Sequence, residues 1–357
     1  MFQDIFRNRR VLVTGHTGFK GSWLCAWLHK LGAKLQGLAL PPDQTPNHFS
    51  QLNTPMNSAI CDIRDPKQVK RIMQSFQPEI VFHLAAQPLV RSSYSNPRDT
   101  FDINVMGTVN LLDACRSTPS IRAIVVITTD KCYANPENGK PFTENDPLGG
   151  FDPYSASKGA AEIAAASYRS AFFSAPDSPA LATARAGNVI GGGDWALDRL
   201  IPDLVRAASQ GKPAEIRFPN AVRPWQHVLE ALSGYLTLGA ALSSGGKTFA
   251  SAWNFGPLEA ESFTVGQVIS MAQSEWNRIT SVSDRTMNQP HEAGRLLLDC
   301  AKAKEQLHWH PVWNTETAVR KTIRWYREFY EHKNIVTLAD LDSYCGAAGQ
   351  AGLEWAQ

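Results

Sequence analysis

Short apolar runs alternate with amphipathic stretches along the first third of the chain. The apolar runs are rich in Val, Ile and Leu, and they predict strands at Arg10–Thr14, 34–40, 79–84 and 123–128. The amphipathic stretches place apolar residues at helical spacing and predict helices at 22–31, Pro66–Phe76 and 104–116. Asp65 is the expected N-cap of the second helix, and Gly32 follows the expected end of the first. Strands and helices in this alternating order predict βαβ units around a parallel sheet.

The pattern changes beyond residue 180. A strand-like run at 181–186 precedes segments rich in Gly, Pro and Trp at 191–194 and 223–227, which are typical of loops that line a pocket. Helical spacing returns at 265–276 and 315–330. The later part of the chain is therefore predicted to be irregular around a binding site and helical towards its end.

These elements divide the chain into two lobes of one α/β fold. Residues 1–180 are predicted to form a Rossmann-type, doubly wound parallel sheet, to which later segments return. Residues 181–357 are predicted to form mainly a smaller C-terminal α/β lobe that binds the substrate. The length of 357 residues agrees with two lobes, because a domain averages roughly 150 residues.

Composition and charge narrow the classes of partner. Hydrophobic residues make up 43% of the chain and charged residues 19%, as in an ordinary globular protein. Lys and Arg (35) nearly balance Asp and Glu (33), so binding to a nucleic-acid backbone is not expected. No apolar run reaches the roughly 20 residues of a membrane span, and no signal-peptide pattern precedes the first strand. We expect a cytoplasmic protein whose partner is a small molecule, not a nucleic acid or a membrane.

The six cysteines and nine histidines carry no disulfide or metal pattern. The cysteines are scattered without CxxC or paired spacing, which is typical of reduced thiols in a cytosolic protein. The histidines lack HxxxH spacing. We therefore predict no catalytic metal and no disulfide framework.

Residues 14–21, with the sequence TGHTGFKG, join the first predicted strand to the first predicted helix. Glycines at such a turn let a pyrophosphate approach the helix N-terminus, where backbone N–H groups favour an anion. The glycine spacing is GxxGxxG, which differs from the GxGxxG of ordinary dehydrogenases. We predict a dinucleotide cofactor here, with contacts from Gly15, His16, Gly18, Phe19, Lys20 and Gly21.

The adenosine end of that cofactor leaves two possibilities open. An acidic residue about 20 positions after the glycine turn is typical of NAD, but the second predicted strand ends in apolar residues and Asp43 is the first carboxylate. His16 and Lys20 are cations that would favour the 2′-phosphate of NADP, and the alternative for Lys20 is a solvated surface lysine. Asp62 and Ile63 are the predicted contacts at the adenine amine.

Tyr154 and Lys158 stand four residues apart behind Asp152 and Pro153, a favourable helix start. The two side chains therefore share one helix face. A neighbouring ammonium lowers the pKa of a phenol because it favours the phenolate, so Lys158 is predicted to make Tyr154 a general base. A surface tyrosine and lysine on an amphipathic helix are the alternative.

The chain resembles the extended short-chain dehydrogenases/reductases and, within them, the nucleotide-sugar 4,6-dehydratases. The features shared with the superfamily are the glycine turn, segments 83–86 and 104–108, and the YxxxK pair; those shared with the narrower group are segments 185–195, 223–228 and 292–299. The resemblance implies the two-lobed fold, NAD, and further cofactor contacts from Leu84, Ala85, Ala86 and Asn104. It also implies a nucleotide sugar as the substrate, with CDP-glucose expected, and a product used for deoxysugar and lipopolysaccharide synthesis.

The residues after the predicted strand at 123–128 bear on the reaction. The resemblance implies that Thr129 hydrogen-bonds the sugar 4-hydroxyl and that Asp130 is an acid. Lys131 departs from the pattern, since a carboxylate base is common at that place. An amine accepts a proton only when it is neutral, so the identity of the base stays open between Lys131, Asp130 and a water. A solvated Asp-Lys pair at a strand end is the non-catalytic alternative.

Cations are expected around the diphosphate of a nucleotide sugar, because guanidinium groups match phosphate oxygens. Arg223 and Arg295 lie in segments that resemble the family's substrate lobe, and they are the first candidates. Asn188 and Arg199 are the second. Trp195, Trp225 and His227 are expected to pack rather than to bind.

Two other functions remain possible on this fold. A C4 epimerase or another sugar dehydratase would share the glycine turn and the YxxxK pair. A non-catalytic, cofactor-sensing protein would have no need of Tyr154 and Lys158 together. By resemblance, the helix that carries Tyr154 would also pair subunits, so we expect a homodimer or homotetramer.

Overall fold

The computed structural model describes residues 1–257, 263–283 and 296–357. Its strands, in chain order, are β1 (Arg10–Thr14), β2 (Lys34–Ala39), β3 (Asn57–Ile60), β4 (Ile80–His83), β5 (Ala123–Ile127), β6 (Ala180–Ala186), β7 (Val189–Ile190), β8 (Ala214–Ile216), β9 (Val222–Arg223), β10 (Gln226–His227), β11 (Ala252–Phe255), β12 (Phe263–Thr264) and β13 (Ser281–Ser283). Its α-helices are α1 (Phe19–Lys30), α2 (His48–Leu52), α3 (Pro66–Phe76), α4 (Val90–Ser95), α5 (Pro97–Phe101), α6 (Gly107–Arg116), α7 (Pro153–Ala171), α8 (Leu200–Ser209), α9 (Val228–Gly245), α10 (Val265–Glu275), α11 (Ala301–Leu307), α12 (Thr315–His332) and α13 (Thr337–Gln350). None of these helices is long and apolar enough to cross a membrane.

Seven strands form the central sheet in the order β11–β6–β5–β4–β1–β2–β3, and every neighbouring pair is parallel. The chain begins near the middle at β1, extends to one edge through β2 and β3, and then crosses back to β4 on the other side of β1. This reversal leaves a crevice at the carboxyl ends of β1 and β4, where such sheets bind ligands. The prediction of a Rossmann-type, doubly wound parallel sheet is confirmed.

The central strands are buried on both faces. On β1, Val11 and Val13 pack into one hydrophobic cluster and Leu12 into another, because successive side chains of a strand point to opposite faces. The same alternation separates Val125 from Ile124 on β5. A strand covered on both faces is apolar along its whole length, which explains the continuous apolar runs in the sequence.

The predicted helices of the first lobe are present with shifted ends. Asp65 caps α3 as predicted, since its side chain accepts hydrogen bonds from the first backbone N–H groups of the helix. α1 begins at Phe19, inside the glycine turn, rather than at residue 22. A π-helical turn, Asp102–Met106, precedes α6, so the helix predicted at 104–116 is regular only from Gly107.

The second lobe consists of short strand pairs and helices. β7 pairs with β10, β8 with β13 and β9 with β12. β6 and β11 belong to the central sheet, although they lie at and beyond residue 180. The return of later segments to the first lobe is therefore substantial, and the boundary drawn at residue 180 stays a prediction.

Gly192 lies where a loop of the second lobe meets α1 and α12. Its carbonyl oxygen accepts a hydrogen bond from Trp23 Nε1 at 2.9 Å. A Cβ built on Gly192 would lie 2.0 Å from the ring of Trp325, which is fully buried. A side chain at this position has no room unless α12 moves.

We expect Gly192→Ala to lower the free energy of unfolding by about 1–3 kcal/mol, because an added methyl group overpacks this contact. Gly346→Ala is the matched control: Gly346 is exposed on α13, and nothing lies within 4 Å of a Cβ built there. That change is expected to raise the free energy of unfolding by up to about 1 kcal/mol through helix propensity. Chemical denaturation followed by circular dichroism measures both, and an unchanged stability of the Gly192→Ala variant would contradict the packing.

Candidate active site

One cavity of about 660 Å³ opens at the carboxyl ends of the central strands. The predicted site residues that line it are Gly15, Gly18, Phe19, Lys20, Gly21, Asp62, Ile63, Leu84, Ala85, Ala86, Thr129, Asp130, Lys131, Tyr154, Lys158, Asn188, Arg199 and Arg223. His16 and Asn104 do not line it, and Arg295 lies outside the described residues. Most of the residues that were predicted from the sequence therefore line a single cavity, and they come from both lobes.

The glycine turn is packed too closely to accept other residues. Gly15 has a φ of +72°, and a Cβ on Gly21 would lie 2.1 Å from the carbonyl oxygen of Gly15. The N–H of Gly18 donates to that same oxygen at 3.1 Å, and α1 begins directly afterwards. The N-terminus of α1 therefore reaches the cavity without a side chain in the way, which fits the pyrophosphate of a dinucleotide.

His16 does not have the position predicted for it. The side chain is buried against Gly37 of β2, and its Nε2 lies 2.7 Å from the hydroxyl of Ser58. Burial lowers the pKa of His16 to about 4, so the ring is neutral at physiological pH. A neutral ring behind the glycine turn offers no charge to a 2′-phosphate, and the contact of His16 with the cofactor stays a prediction.

Lys20 faces the sugar side of the cavity rather than the adenosine side. Burial and the charges of Arg199 and Lys158 together lower the pKa of Lys20 to about 8, although Asp130 and Asp194 oppose the shift. These four neighbours belong to the region around Tyr154. Lys20 is therefore neither a solvated surface lysine nor placed at the ribose end, where it would favour NADP.

At the adenosine end the structure offers a carboxylate held by an arginine. Arg64 donates to both carboxylate oxygens of Asp62, the shortest contact being 2.7 Å, and these hydrogen bonds lower the pKa of Asp62. Thr17, which the sequence analysis did not select, lines the cavity beside the end of β2 and donates to the carbonyl oxygen of Leu40 at 2.9 Å. An ionised acceptor near the apolar Ile63 fits an adenine amine.

Asn104 is a structural residue. Its amide accepts from the N–H of Gln87 at 2.8 Å, and its NH₂ group donates to the carbonyl oxygen of Gln87 and to the hydroxyl of Ser157. These bonds occupy the buried side chain of Asn104, and its direct contact with the cofactor stays a prediction. Asn104 instead fixes the loop after β4 to α7, the helix that carries Tyr154.

The acid side of the site lies at the end of β5. Thr129 Oγ1 donates to Asp130 Oδ1 at 2.9 Å, while Asp130 Oδ2 has no hydrogen-bond partner among the described residues. Burial raises the pKa of Asp130, although the charges of Lys131, Arg223 and Lys20 and the hydrogen bond from Thr129 oppose the shift. A carboxyl group that burial keeps protonated can donate a proton.

In the protein alone, the neutral phenol form of Tyr154 is favoured more strongly than the sequence analysis predicted. Burial raises the pKa of Tyr154 to about 12, although a hydrogen bond with Thr129 lowers it and the charge of Asp130 raises it. Lys158 instead donates to the carbonyl oxygen of Ile127 at 3.2 Å, and burial lowers its own pKa to about 8. The predicted lowering of the pKa of Tyr154 by Lys158 is therefore wrong for the protein alone, because desolvation dominates.

The second lobe supplies the other charged groups of the cavity. Arg199 pairs with Asp194 at 2.7 Å, and Asp194 is buried. Arg223 is buried close enough to Asp130 for its charge to affect the pKa of that carboxyl group. Asn188 lines the cavity, and its carbonyl oxygen is used by the backbone of β10. The substrate side is thus rich in guanidinium groups, as expected for a diphosphate ligand.

The aromatic residues near the site pack, as predicted. Trp195 lies within 5.7 Å (between ring centroids) of Trp325 and within 5.1 Å of Phe329. His227 is buried at the start of α9, where its Nδ1 accepts a hydrogen bond from the N–H of Leu229 at 3.3 Å. Trp195 and Trp225 nevertheless border the cavity with one side each.

Besides Thr17, the sequence analysis did not select His48, Asp194 and Glu162, which lie in or behind the cavity. His48 lines the cavity and bridges the hydroxyls of Ser22 and Thr337 at 2.7 and 2.8 Å, a contact between distant segments that no local pattern signals. The ion pair of Asp194 with Arg199 became apparent only in the folded structure. Glu162 had a signal, since it follows Lys158 at helical spacing on the same face of α7.

The sequence profile of the family described as GDP-mannose 4,6 dehydratase matches residues 12–322. The CDP-glucose 4,6-dehydratase of Salmonella typhimurium is 45% identical over 340 residues, which cover 94% of this chain and 95% of that protein. Among solved structures, a UDP-glucose 4-epimerase of Thermus thermophilus in complex with NAD is similar at a TM-score of 0.77 and 25% identity, over 89% of this chain and 99% of that one. A dTDP-glucose 4,6-dehydratase of Streptomyces venezuelae with NAD bound has a TM-score of 0.76 at 23% identity, over 89% and 97% of the two chains, and shows likeness of fold.

The profile match extends from β1 into α12 and so includes the glycine turn, the acid side of the site, the Tyr154–Lys158 pair and the second-lobe arginines. The relatives and the sheet topology agree with it. The chain belongs to the GDP-mannose 4,6 dehydratase family.

Proposed function

We propose that this protein is an NAD-dependent CDP-glucose 4,6-dehydratase, which converts CDP-glucose to CDP-4-keto-6-deoxyglucose and water. The observation that carries the proposal is the buried Asp130, whose pKa is raised by desolvation and which lies with Tyr154 in one cavity. A C4 epimerase needs only the tyrosine, whereas loss of a hydroxyl also needs an acid. The 45% identity to a CDP-glucose 4,6-dehydratase supports the choice of sugar nucleotide.

The first step is oxidation at C4 of the glucose. When bound, NAD accepts the C4 hydride and later returns it to C6. Tyr154 takes the proton of the 4-hydroxyl while Thr129, which hydrogen-bonds Tyr154, orients that hydroxyl. The pKa of Tyr154 is about 12 in the protein alone, so this step depends on nearby cations that favour the phenolate. Lys158 is the protein's cation on the same helix face.

The second step is elimination across C5 and C6. The ketone at C4 makes the C5 proton acidic, so a base can remove it as the C6 hydroxyl leaves. Asp130 donates the proton that turns this hydroxyl into water. We assign the base to Lys131, which lines the cavity next to Asp130 in the turn Asp130–Cys132. Lys131 would then return its proton to C5 as C6 is reduced, and the proton that Tyr154 took from the 4-hydroxyl would restore Asp130, which closes the cycle.

Binding of the nucleotide sugar is assigned to groups of both lobes. The glycine turn and Asp62 are proposed to hold the cofactor at its pyrophosphate and adenine. Arg223 and Arg199 are proposed to contact the sugar nucleotide, with Asn188 beside them. Arg295 remains a proposal from the sequence alone. By resemblance, the reaction would take place in the cytoplasm and supply deoxysugars for lipopolysaccharide.

Assayed in parallel with CDP-glucose, UDP-glucose and dTDP-glucose, the protein is expected to turn over CDP-glucose at least about tenfold faster than the other two. NAD is expected to support the reaction better than NADP. Mass spectrometry should show loss of one water, and nuclear magnetic resonance should show a 4-ketone with a C6 methyl group. CDP-galactose as the product would support a C4 epimerase instead, and cofactor binding without any conversion would favour a sensing protein.

Lys131→Met is expected to separate the two steps. C4 oxidation belongs to Tyr154 and should proceed, whereas elimination should slow about 10²- to 10⁴-fold if Lys131 removes the C5 proton. With enzyme in excess over CDP-glucose, reduced cofactor should accumulate, and solvent deuterium should not enter at C5.

Tyr154→Phe is the control for that experiment, because it blocks the earlier step and should give no reduced cofactor. Formation of the product by the Lys131→Met variant at the parent rate, with deuterium at C5, would assign the base to Asp130 or to a bound water.

We propose that the protein is a homodimer or a homotetramer that pairs through α5 and α7, which pack against each other. Phe101, Met106 and Ile163 on these elements and the π turn between α5 and α6 are exposed despite being large and apolar. Light scattering is expected to give a mass at least twice the 39.3 kDa of the chain. Ile163→Asp should lower that mass, whereas Leu338→Asp on the exposed side of α13 should not, and a monomeric parent would contradict the proposal.

A further inference from the structure

Tyr154, Lys158 and Glu162 form one stripe along α7, each four residues after the last. The first two line the cavity, but Glu162 lies deeper and is only 3% exposed. It therefore touches neither cofactor nor substrate. A carboxylate at such a depth is retained only when partners compensate for its desolvation.

Glu162 has four donors for its two oxygens. Oε1 accepts from the hydroxyl of Thr128 and from Arg185 Nε at 3.0 Å. Oε2 accepts from the hydroxyl of Thr183 at 2.7 Å and from a terminal nitrogen of Arg185 at 2.9 Å. Thr128 directly follows β5, while Thr183 and Arg185 belong to β6. One carboxylate thus joins α7 to the carboxyl ends of two central strands.

The far side of Arg185 extends this network towards the acid side of the site. Its other terminal nitrogen donates to the hydroxyl of Tyr133 at 2.8 Å and to the carbonyl oxygen of Glu144 at 3.2 Å. Tyr133 directly follows the turn that contains Asp130 and Lys131. Thr128, bound by Glu162 itself, precedes Thr129 on the other side of that turn. The network therefore holds both ends of the segment that presents the proposed acid and base.

Glu162 also affects the charge of Lys158. Burial lowers the pKa of Lys158, and the carboxylate of Glu162 is the largest opposing influence, followed by Cys132. Burial raises the pKa of the Cys132 thiol well above its usual value, so that group is neutral.

The other titratable groups near Lys158 come from neighbouring elements. His83 on β4 is neutral because burial lowers its pKa to about 3, and Lys20 on α1 is a further cation. Asp130 is buried with a raised pKa. Burial also raises the pKa of Glu162, but Arg185 outweighs it and keeps the carboxylate ionised.

We propose that Glu162 is a positioning residue for the reaction: its hydrogen bonds with Thr128 and Arg185 fix the Thr129–Lys131 turn, and its charge, one helical turn from Lys158 on the same face of α7, favours the ammonium form of that lysine. This inference rests on the proposed function for its catalytic part. Its electrostatic part concerns Lys158 alone and stands without any substrate.

Glu162→Gln keeps the size of the side chain and removes its charge. Lys158 should then lose its proton at a pH about one unit lower, because the anion that favours the ammonium is gone. Trace labelling of amines with acetic anhydride as a function of pH, read by mass spectrometry, measures this titration in the full-length protein. In the dehydration of CDP-glucose, kcat should fall about tenfold or more, with KM changed less than about threefold, and the alkaline limb of the pH profile should move to lower pH by a similar amount.

Two other variants separate charge from position. Glu162→Asp keeps the charge and shortens the side chain, so it should lower kcat and leave the alkaline limb in place. Glu230→Gln is the matched control: Glu230 is a fully buried carboxyl group in the first turn of α9, and it accepts hydrogen bonds from the hydroxyl of Tyr344 and the backbone N–H of Trp313. That variant should change stability and leave the titration of Lys158 unchanged.

If Glu162→Gln does not fold, the double variant Glu162→Met with Arg185→Met replaces it in the experiment. Apolar pairs often replace buried ion pairs without loss of stability. The double variant removes the same carboxylate and should also lower the pH at which Lys158 titrates. An unshifted titration of Lys158 in either folded variant overturns the inference. A shifted titration in a protein that does not dehydrate CDP-glucose supports the electrostatic part and overturns the proposed function.

Discussion

Desolvation at the carboxyl ends of the central strands is the constraint on which the site depends. The same burial that raises the pKa of Asp130 also raises the pKa of Tyr154 to about 12 and lowers the pKa values of Lys158 and Lys20 to about 8. Burial therefore favours the neutral form of every one of these groups. For Asp130, burial favours the protonated form that the proposed acid needs. Tyr154 can act as a base, and the lysines can stay charged, only if nearby fixed charges oppose the effect of burial. The charged groups behind the cavity therefore determine the chemistry of the groups that line it.

The fold was largely predictable because it follows from patterns within short segments. The strands at Arg10–Thr14 and 123–128 are apolar on both faces, and the helix Pro66–Phe76 is marked by its cap, so their order already implied a parallel sheet. The ends of helices were less predictable. α1 starts inside the glycine turn, and the π turn Asp102–Met106 interrupts a regular spacing, because the cavity edge and not local propensity determines the backbone there.

The part of the site that consists of local motifs could be predicted from the sequence. The positions of side chains whose neighbours come from distant segments could not. The glycines, Asp130 and the Tyr154–Lys158 pair all line one cavity, as their types and spacing suggested. His16 and Asn104 have the same polar character but point into the packed interior, where Ser58, Gln87 and Ser157 use them. The sequence also could not show that Lys20 lies among the groups near Tyr154, because Arg199 and Asp194 reach it from the second lobe.

Substrate charge fits this arrangement. Four cations, Lys20, Lys158, Arg199 and Arg223, line the part of the cavity around the two buried carboxyl groups Asp130 and Asp194. A diphosphate brings negative charge next to these cations and raises the pKa of each nearby group. The diphosphate would thus favour the ammonium forms of Lys20 and Lys158 and the protonated form of Asp130, the proposed acid. The same charge would also hold the proton on Tyr154, so the groups that lower the pKa of this phenol, the hydrogen bond with Thr129 and the charge of Arg199, must oppose the diphosphate there.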